Sequence, residues 1–196
     1  MSAKGKTLGA AALMGALCFL IPARSIAQGP EEQIRATVEK VLTILRNPSN
    51  GGTESELREL ISRRFSFEEM AKRSLGYHWR DLTTNEQKEF AELFKDLLER
   101  AYIDRIQAYH NEKIIFTGER RDGRYAEVES RVVQRDGKEF SIDYKLQLMG
   151  DEWKVYDVVI ENISLVNNYR SQFNRVILNS SYEELIRRIK EKLGRS

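Results

Sequence analysis

The 196-residue chain is poor in the residues that build most small catalytic centres and stapled scaffolds. It has one cysteine, Cys18, which excludes a disulfide framework and any multi-cysteine metal site. Its two histidines, His78 and His110, stand far apart without cysteine partners, too few convergent ligands for a zinc centre. No glycine-rich phosphate loop and no Gly-x-Ser-x-Gly elbow occurs. Proline is confined to positions 22, 30 and 48, so no proline interrupts a helix from residue 49 onward. An excess of one charge is also missing. There are 32 Lys and Arg against 30 Asp and Glu, which gives no general pull toward nucleic acid or an acidic membrane. With 41% hydrophobic residues and balanced charge, the composition is that of one folded domain, not of a charged disordered chain.

The one long apolar run is short for a membrane span. Lys4 and Lys6 precede 14 uncharged residues from Leu8 to Ile21, below the roughly 17 that a spanning helix needs. Pro22 ends the run and Ser25-Ile26-Ala27 offers small residues to a signal peptidase, so residues 1–27 read as a secretory signal cleaved after Ala27. Cys18 lies inside the apolar run, not at its end behind a small residue, which argues against lipidation. The expected product is a single periplasmic domain, residues 28–196, without cysteine.

Within that domain Ile34, Val38, Val41, Leu42 and Leu45 recur at helical spacing after Pro30. Thr53 with Glu56, Ser66 with Glu69, and Thr84 with Gln87 read as helix-start pairs. The second of these helices is expected to stop near Gly76. The third carries an apolar stripe of Phe90, Leu93, Phe94, Leu97, Leu98, Ala101, Ile106 and Tyr109, and from Asn85 to Tyr109 it would reach about 37 Å. The period then changes. Ile114–Gly118, Tyr125–Arg135, a strand around Phe140–Leu148, and Trp153–Glu161 read as four strands joined by short turns at Asp122-Gly123, Asp136-Gly137 and Gly150-Asp151. In the third strand Phe140, Ile142, Tyr144, Leu146 and Leu148 alternate with Ser141, Asp143, Lys145 and Gln147, giving one dry and one wet face. Ser164, and Ser181 with Glu184, open two closing helices. The expected fold is α+β, a four-stranded antiparallel meander packed against several helices and enclosing an apolar pocket.

Most carboxylates alternate with Lys or Arg on helix faces and read as solvated. Asp157 differs, because it interrupts the apolar run Val155-Tyr156-Asp157-Val158-Val159-Ile160. A lone acid in a helix-lined cone can serve as a general base, whereas a hydrogen-bonded acid at a strand end is structural. No paired base or oxyanion donor accompanies it, which favours the structural role. What the chain does offer is apolar area. A core of Phe, Tyr, Trp and Leu can close on itself or leave a gap, and a gap lined this way would hold an apolar ligand at about 0.8 kcal/mol per buried methylene.

Several segments are familiar. Phe67-x-x-Met70-Ala71, Leu75-Gly76-x-x-Trp79, Thr84-x-x-Gln87-x-Glu89-Phe90, Trp153-x-Val155-Tyr156-Asp157-Val158 and Ser164-Leu165-Val166-x-Asn168-Tyr169-Arg170-x-Gln172-Phe173 together resemble the MlaC family. These are periplasmic phospholipid-binding proteins, also described as toluene-tolerance auxiliary proteins, with a hopanoid-associated branch. One departure is Glu161-Asn162, where the family more often has Glu-Gly; Asn tolerates a positive φ better than most residues. The resemblance implies a non-enzymatic carrier without a cofactor, expected to be monomeric. It would exchange phospholipid between an outer-membrane lipoprotein/porin complex and an inner-membrane MCE-domain ABC transporter, in either direction. The pocket lining expected from the periodicity is Val128, Val132, Ile142, Tyr144 and Leu146 on the dry sheet face, with Val155 or Val158 from the fourth strand, whose register is open. The helices would add Met70, Leu75, Trp79, Phe90, Phe94, Leu97, Leu98, Leu165, Tyr169 and Phe173, with Arg170 near the head group. A hopanoid carrier, an enzyme using Asp157 and an adaptor with a solid core are the alternatives.

Overall fold

The computed structural model describes residues 28–48, 51–108 and 112–195. The signal segment, Tyr109 and His110 lie outside them.

Helix α1 (Pro30–Arg46) opens with proline and two glutamates in its first turn, as a helix N-terminus favours. Helix α2 (Thr53–Arg64) departs from the expected capping box. Thr53 is its first helical residue, because the chain winds up directly from Gly51, at φ 81°, through Gly52. Helix α3 (Phe67–Leu75) is capped by Ser66, whose hydroxyl accepts from the Glu69 N–H, and Gly76 at φ 61° ends it. A 3-10 stretch (Gly76–Asp81) leads to α4 (Thr84–Gln107), whose 24 residues span about 36 Å. Its cap lies one residue earlier than the sequence suggests. Glu86 reaches back to the Thr83 N–H at 2.7 Å, whereas Gln87 donates to the carbonyls of Trp79 and Leu82. Helices α5 (Leu165–Asn179) and α6 (Tyr182–Leu193) carry the expected Ser164 and Ser181 caps.

The strands are β1 (Lys113–Asp122), β2 (Tyr125–Val133), β3 (Glu139–Met149), β4 (Glu152–Ile160) and β5 (Ile163–Ser164), antiparallel in sequence order. The sheet has five strands, not four, because two residues fold back on β4 through a turn with Glu161 at φ 49° and Asn162 at φ 64°. The position where the family more often has Gly is therefore left-handed here. Strand β1 runs beyond Gly118. Strand β2 stops short of Arg135, where Gln134 and Gly137 close the turn by backbone hydrogen bonds.

Two bulges decide which side chains share a face. In β4, Lys145 pairs with Asp157 but Leu146 pairs with Val155, leaving Tyr156 as the extra residue. The parity flips there, so Val155 and Val158 both stand on the dry face and the open register question resolves to both. In β1, Phe116 pairs with Ser130 and Gly118 with Glu129, leaving Thr117 extra. This brings Glu119 to the face that α1 covers, where its carboxylate accepts from the Glu31 N–H at 2.7 Å. It stabilises a helix start that has no side-chain cap of its own.

Candidate functional site

A two-layer domain of this size ordinarily buries one contiguous core. Here most of the buried apolar residues fall into two clusters. The helical cluster joins Met70, Leu75, Trp79, Phe90, Leu93, Phe94, Leu97, Leu98, Val166, Tyr169 and Phe173 with Leu185 and Ile189 of α6. Its centre is an aromatic nest in which Phe94 meets Tyr169 and Phe173 edge-on at 5.1 and 5.6 Å. The sheet cluster joins Ala126, Val128, Leu146, Trp153, Val155 and Val158 with Ile34 of α1. Among the described residues, half-buried Phe65 is the side chain that packs against both.

The expected lining residues therefore divide. All the helical ones except Leu165 belong to the helical cluster, and Leu165 leans on the sheet cluster. Val132 is buried but belongs to neither. Along the dry face the cover is uneven. At the end under α1, Val128, Leu146 and Val155 are fully buried. Further along, Phe140, Ile142, Tyr144 and Ile160 are only half-buried. So are Val38, Val41, Leu42 and Leu45 on α1, whose buried residues Pro30, Gln33 and Ile34 all lie in its first five positions.

That first turn is pinned by Arg64. Its guanidinium donates to the Gln33 side chain and the Trp153 carbonyl, both at 2.6 Å, and to Thr37 at 3.0 Å. Burial pulls the Arg64 pKa below its ordinary value, an effect that Glu152 opposes. Burial pushes the Tyr144 hydroxyl up to about 12, an effect that the nearby Ser130 side chain partly offsets.

Asp157 is buried and structural. Its carboxylate accepts from the Val166 N–H at 3.0 Å and the Ser164 hydroxyl at 2.6 Å, both at the N-terminus of α5. The Tyr156 bulge places it there. Arg170 lies on the outside of α5, donating to the Arg73 carbonyl at 2.7 Å, and Arg73 in turn covers the Tyr156 ring. The sequence missed a different feature, a polar cleft of about 470 Å³ lined by Glu54, Arg58, Asp96, Arg100, Asp104 and Arg195, with Ile103 and Leu193. Its acids and arginines balance, and Arg58 pairs with buried Glu99 beside it. Helical charge alternation hides such a cleft in sequence. Among the described residues no group of acids, histidines or cysteines could hold a metal ion, and no helix is long and apolar enough to cross a membrane.

The MlaC protein family matches residues 35–191, from α1 to the last turns of α6. The chain belongs to the MlaC family. Among its relatives, the toluene tolerance protein ttg2D of Pseudomonas putida is 30% identical over 95 residues, 48% of this chain and 44% of that protein. The intermembrane phospholipid transport system binding protein MlaC of Haemophilus influenzae is 22% identical over 122 residues, 60% of this chain and 57% of the relative. The chain thus spans about half the length of these curated relatives. A phospholipid-binding protein from Ralstonia solanacearum, solved in complex with a phospholipid, superposes with a TM-score of 0.76 at 23% identity. The match covers 85% of this chain and 98% of that one. The residues that carry the MlaC resemblance do structural work here: Met70, Ala71, Leu75 and Trp79 fill the helical core, and Asp157 with Ser164 fixes the start of α5.

Proposed function

We propose that this chain is a non-enzymatic periplasmic carrier that shelters the acyl chains of a phospholipid between the sheet and the helices. The observation that carries this reading is the pair of separate cores with a half-covered apolar sheet face between them. Tyr144 sharpens it. Tyr144 is half-buried on that face, and burial holds its hydroxyl away from bulk water. The lining of that space is Phe140, Ile142, Tyr144, Ile160 and Leu165, with Val132 at its edge and the half-buried residues of α1 opposite. Leu146 and Val155 belong to the packed end. The names of the MlaC relatives and the lipid-bound Ralstonia structure support the same reading.

Acyl chains need no specific polar contact to be held, since each buried methylene contributes about 0.8 kcal/mol. Release then requires the space to open, on docking to an inner-membrane MCE-domain ABC transporter or to an outer-membrane lipoprotein/porin complex, the partners the family resemblance implies. Asp157 supports a carrier over an enzyme, because both its oxygens are engaged in holding α5. The test is native mass spectrometry with lipid extraction on protein exported to a bacterial periplasm. One diacyl phospholipid per chain is expected. A chain that carries none and takes up none from vesicles would overturn the proposal.

A further inference from the structure

The outer surface where β4, α3 and α5 meet carries a stripe of tyrosine, arginine and leucine that sheltering acyl chains does not require. It begins on the sheet. Tyr125 and the bulged Tyr156 meet edge-on at 6.0 Å, and the Arg73 guanidinium lies 4.1 Å from the Tyr156 ring and 5.8 Å from that of Tyr125. Arg73 stands in the last turn of α3, and its carbonyl accepts from Arg170 of α5 at 2.7 Å. One turn further along α5, Asn174 accepts from the Tyr77 hydroxyl at 3.0 Å, and His78 shares the same oxygen at 3.0 Å. Leu178 follows after another turn on that face. Of the five exposed large apolar side chains among the described residues, Tyr77, Tyr125 and Leu178 fall on this one stripe, which random scatter over a surface would not produce. Its charge has one sign. Helix α5 contains Arg170 and Arg175 and no acid, and the end of α3 adds Lys72 and Arg73. Glu69 gives one oxygen to Arg73 at 2.8 Å and the other to Lys72 at 3.8 Å, while Glu127, beyond Tyr125 on β2, is held by Arg120. Among the described residues Arg170 and Arg175 pair with no acid.

We propose that this stripe is a docking surface for an acidic face of a partner protein. The inference deepens the carrier reading above and rests on it, because a carrier must meet the proteins that load and empty it. Tyrosine and arginine supply much of the binding energy at protein interfaces. Here hydrogen bonds and ring contacts hold them in place beforehand, so docking costs little side-chain freedom. Adsorption to an anionic membrane draws instead on clustered, solvated cations and an excess of positive charge. This chain has 32 basic against 30 acidic residues, and its stripe arginines are tied to a carbonyl and to a ring. Asp157, beside Tyr156, holds the start of α5 through the Val166 N–H. A partner seated on the stripe therefore bears on the helix whose Leu165 lines the proposed space.

The test measures binding of two probes by biolayer interferometry, the periplasmic domain of the same bacterium's inner-membrane MCE protein and its outer-membrane lipoprotein. The wild-type chain is compared with Tyr77→Ala, Tyr125→Ala and Arg170→Glu. At least one probe is expected to bind, more weakly as salt rises, and each variant should weaken it about tenfold while its bound phospholipid is unchanged. Ile115→Ala removes an exposed apolar side chain opposite Arg131, six residues along β2 from Tyr125, and should bind as the wild type does. Unchanged affinity in folded variants, or no binding of either probe, overturns the assignment. So does variant-sensitive binding to phosphatidylglycerol vesicles, or to a second copy of the chain, in place of the probes. Should Arg170→Glu not fold, the two tyrosine variants decide. A wild type that binds a probe through the stripe but takes up no lipid overturns the carrier reading and keeps the docking surface.

Discussion

Enlarging a side chain distinguishes a gap from a packed core, and β3 offers both settings four residues apart on one face. Leu146 is fully buried between Val155 and Ala126. A tryptophan there has no room, and overpacking of this kind costs about 1–3 kcal/mol. Ile142 lies on the same strand and face but is half-buried, facing the proposed space. At about 25 cal/mol per Å², covering some 40 Å² more ring surface gives about 1 kcal/mol of stabilisation. Ile142→Trp in the lipid-free protein is therefore expected to be neutral or slightly stabilising, while Leu146→Trp destabilises. Urea denaturation of both variants measures this, and bound lipid is counted in parallel. Ile142→Trp should lose most of its phospholipid because the ring occupies the space. Equal destabilisation at the two positions, with lipid unchanged, would refute the division of the sheet face into a packed and an open end.

Other perturbations follow from the same geometry. Asp157→Asn weakens the hold on α5 and should cost about 1–3 kcal/mol in thermal or urea unfolding while the bound lipid is retained; lost lipid in a folded variant would contradict a purely structural acid. Asn162→Gly relieves a left-handed residue and should raise stability by about 0.5 kcal/mol, read as a higher melting temperature. The raised Tyr144 pKa gives alkaline instability. The unfolded tyrosine ionises near 10 and the folded one near 12, so the stability this group contributes is complete below about pH 10 and falls as pH rises toward 12. The loss from Tyr144 should reach about 1 kcal/mol by pH 11, and Tyr144→Phe should flatten the curve there; an unchanged slope would show that the hydroxyl is not desolvated. Arg64→Met removes three bonds that fix the start of α1 and should speed amide exchange in that helix before the sheet is affected.

Much of this molecule is legible in its sequence, for reasons that name the exceptions. Strict alternation from Phe140 to Leu148 sets the dry face, and serine caps mark three helix starts, because both signals are local. Thr83 and Thr84 are adjacent, so only the reach of Glu86 decides between them. The bulge at Tyr156 leaves no local trace; it exists because Asp157 must meet the start of α5, a contact between different elements. Periodicity names apolar residues without saying which other apolar residues they meet. That is why Phe94 and Ile142 looked alike, although one lies in a closed aromatic nest and the other on a half-covered sheet. Arg170 is held by the distant carbonyl of Arg73, a contact that no local sequence pattern announces.

The most direct measurement of the central claim is the mass of the folded, exported chain with its bound contents, before and after incubation with phospholipid vesicles. The account expects one phospholipid per chain, exchangeable as a whole molecule and not chemically altered. A chain that remains ligand-free under both conditions, with its interior inaccessible to any alkyl chain, would contradict it.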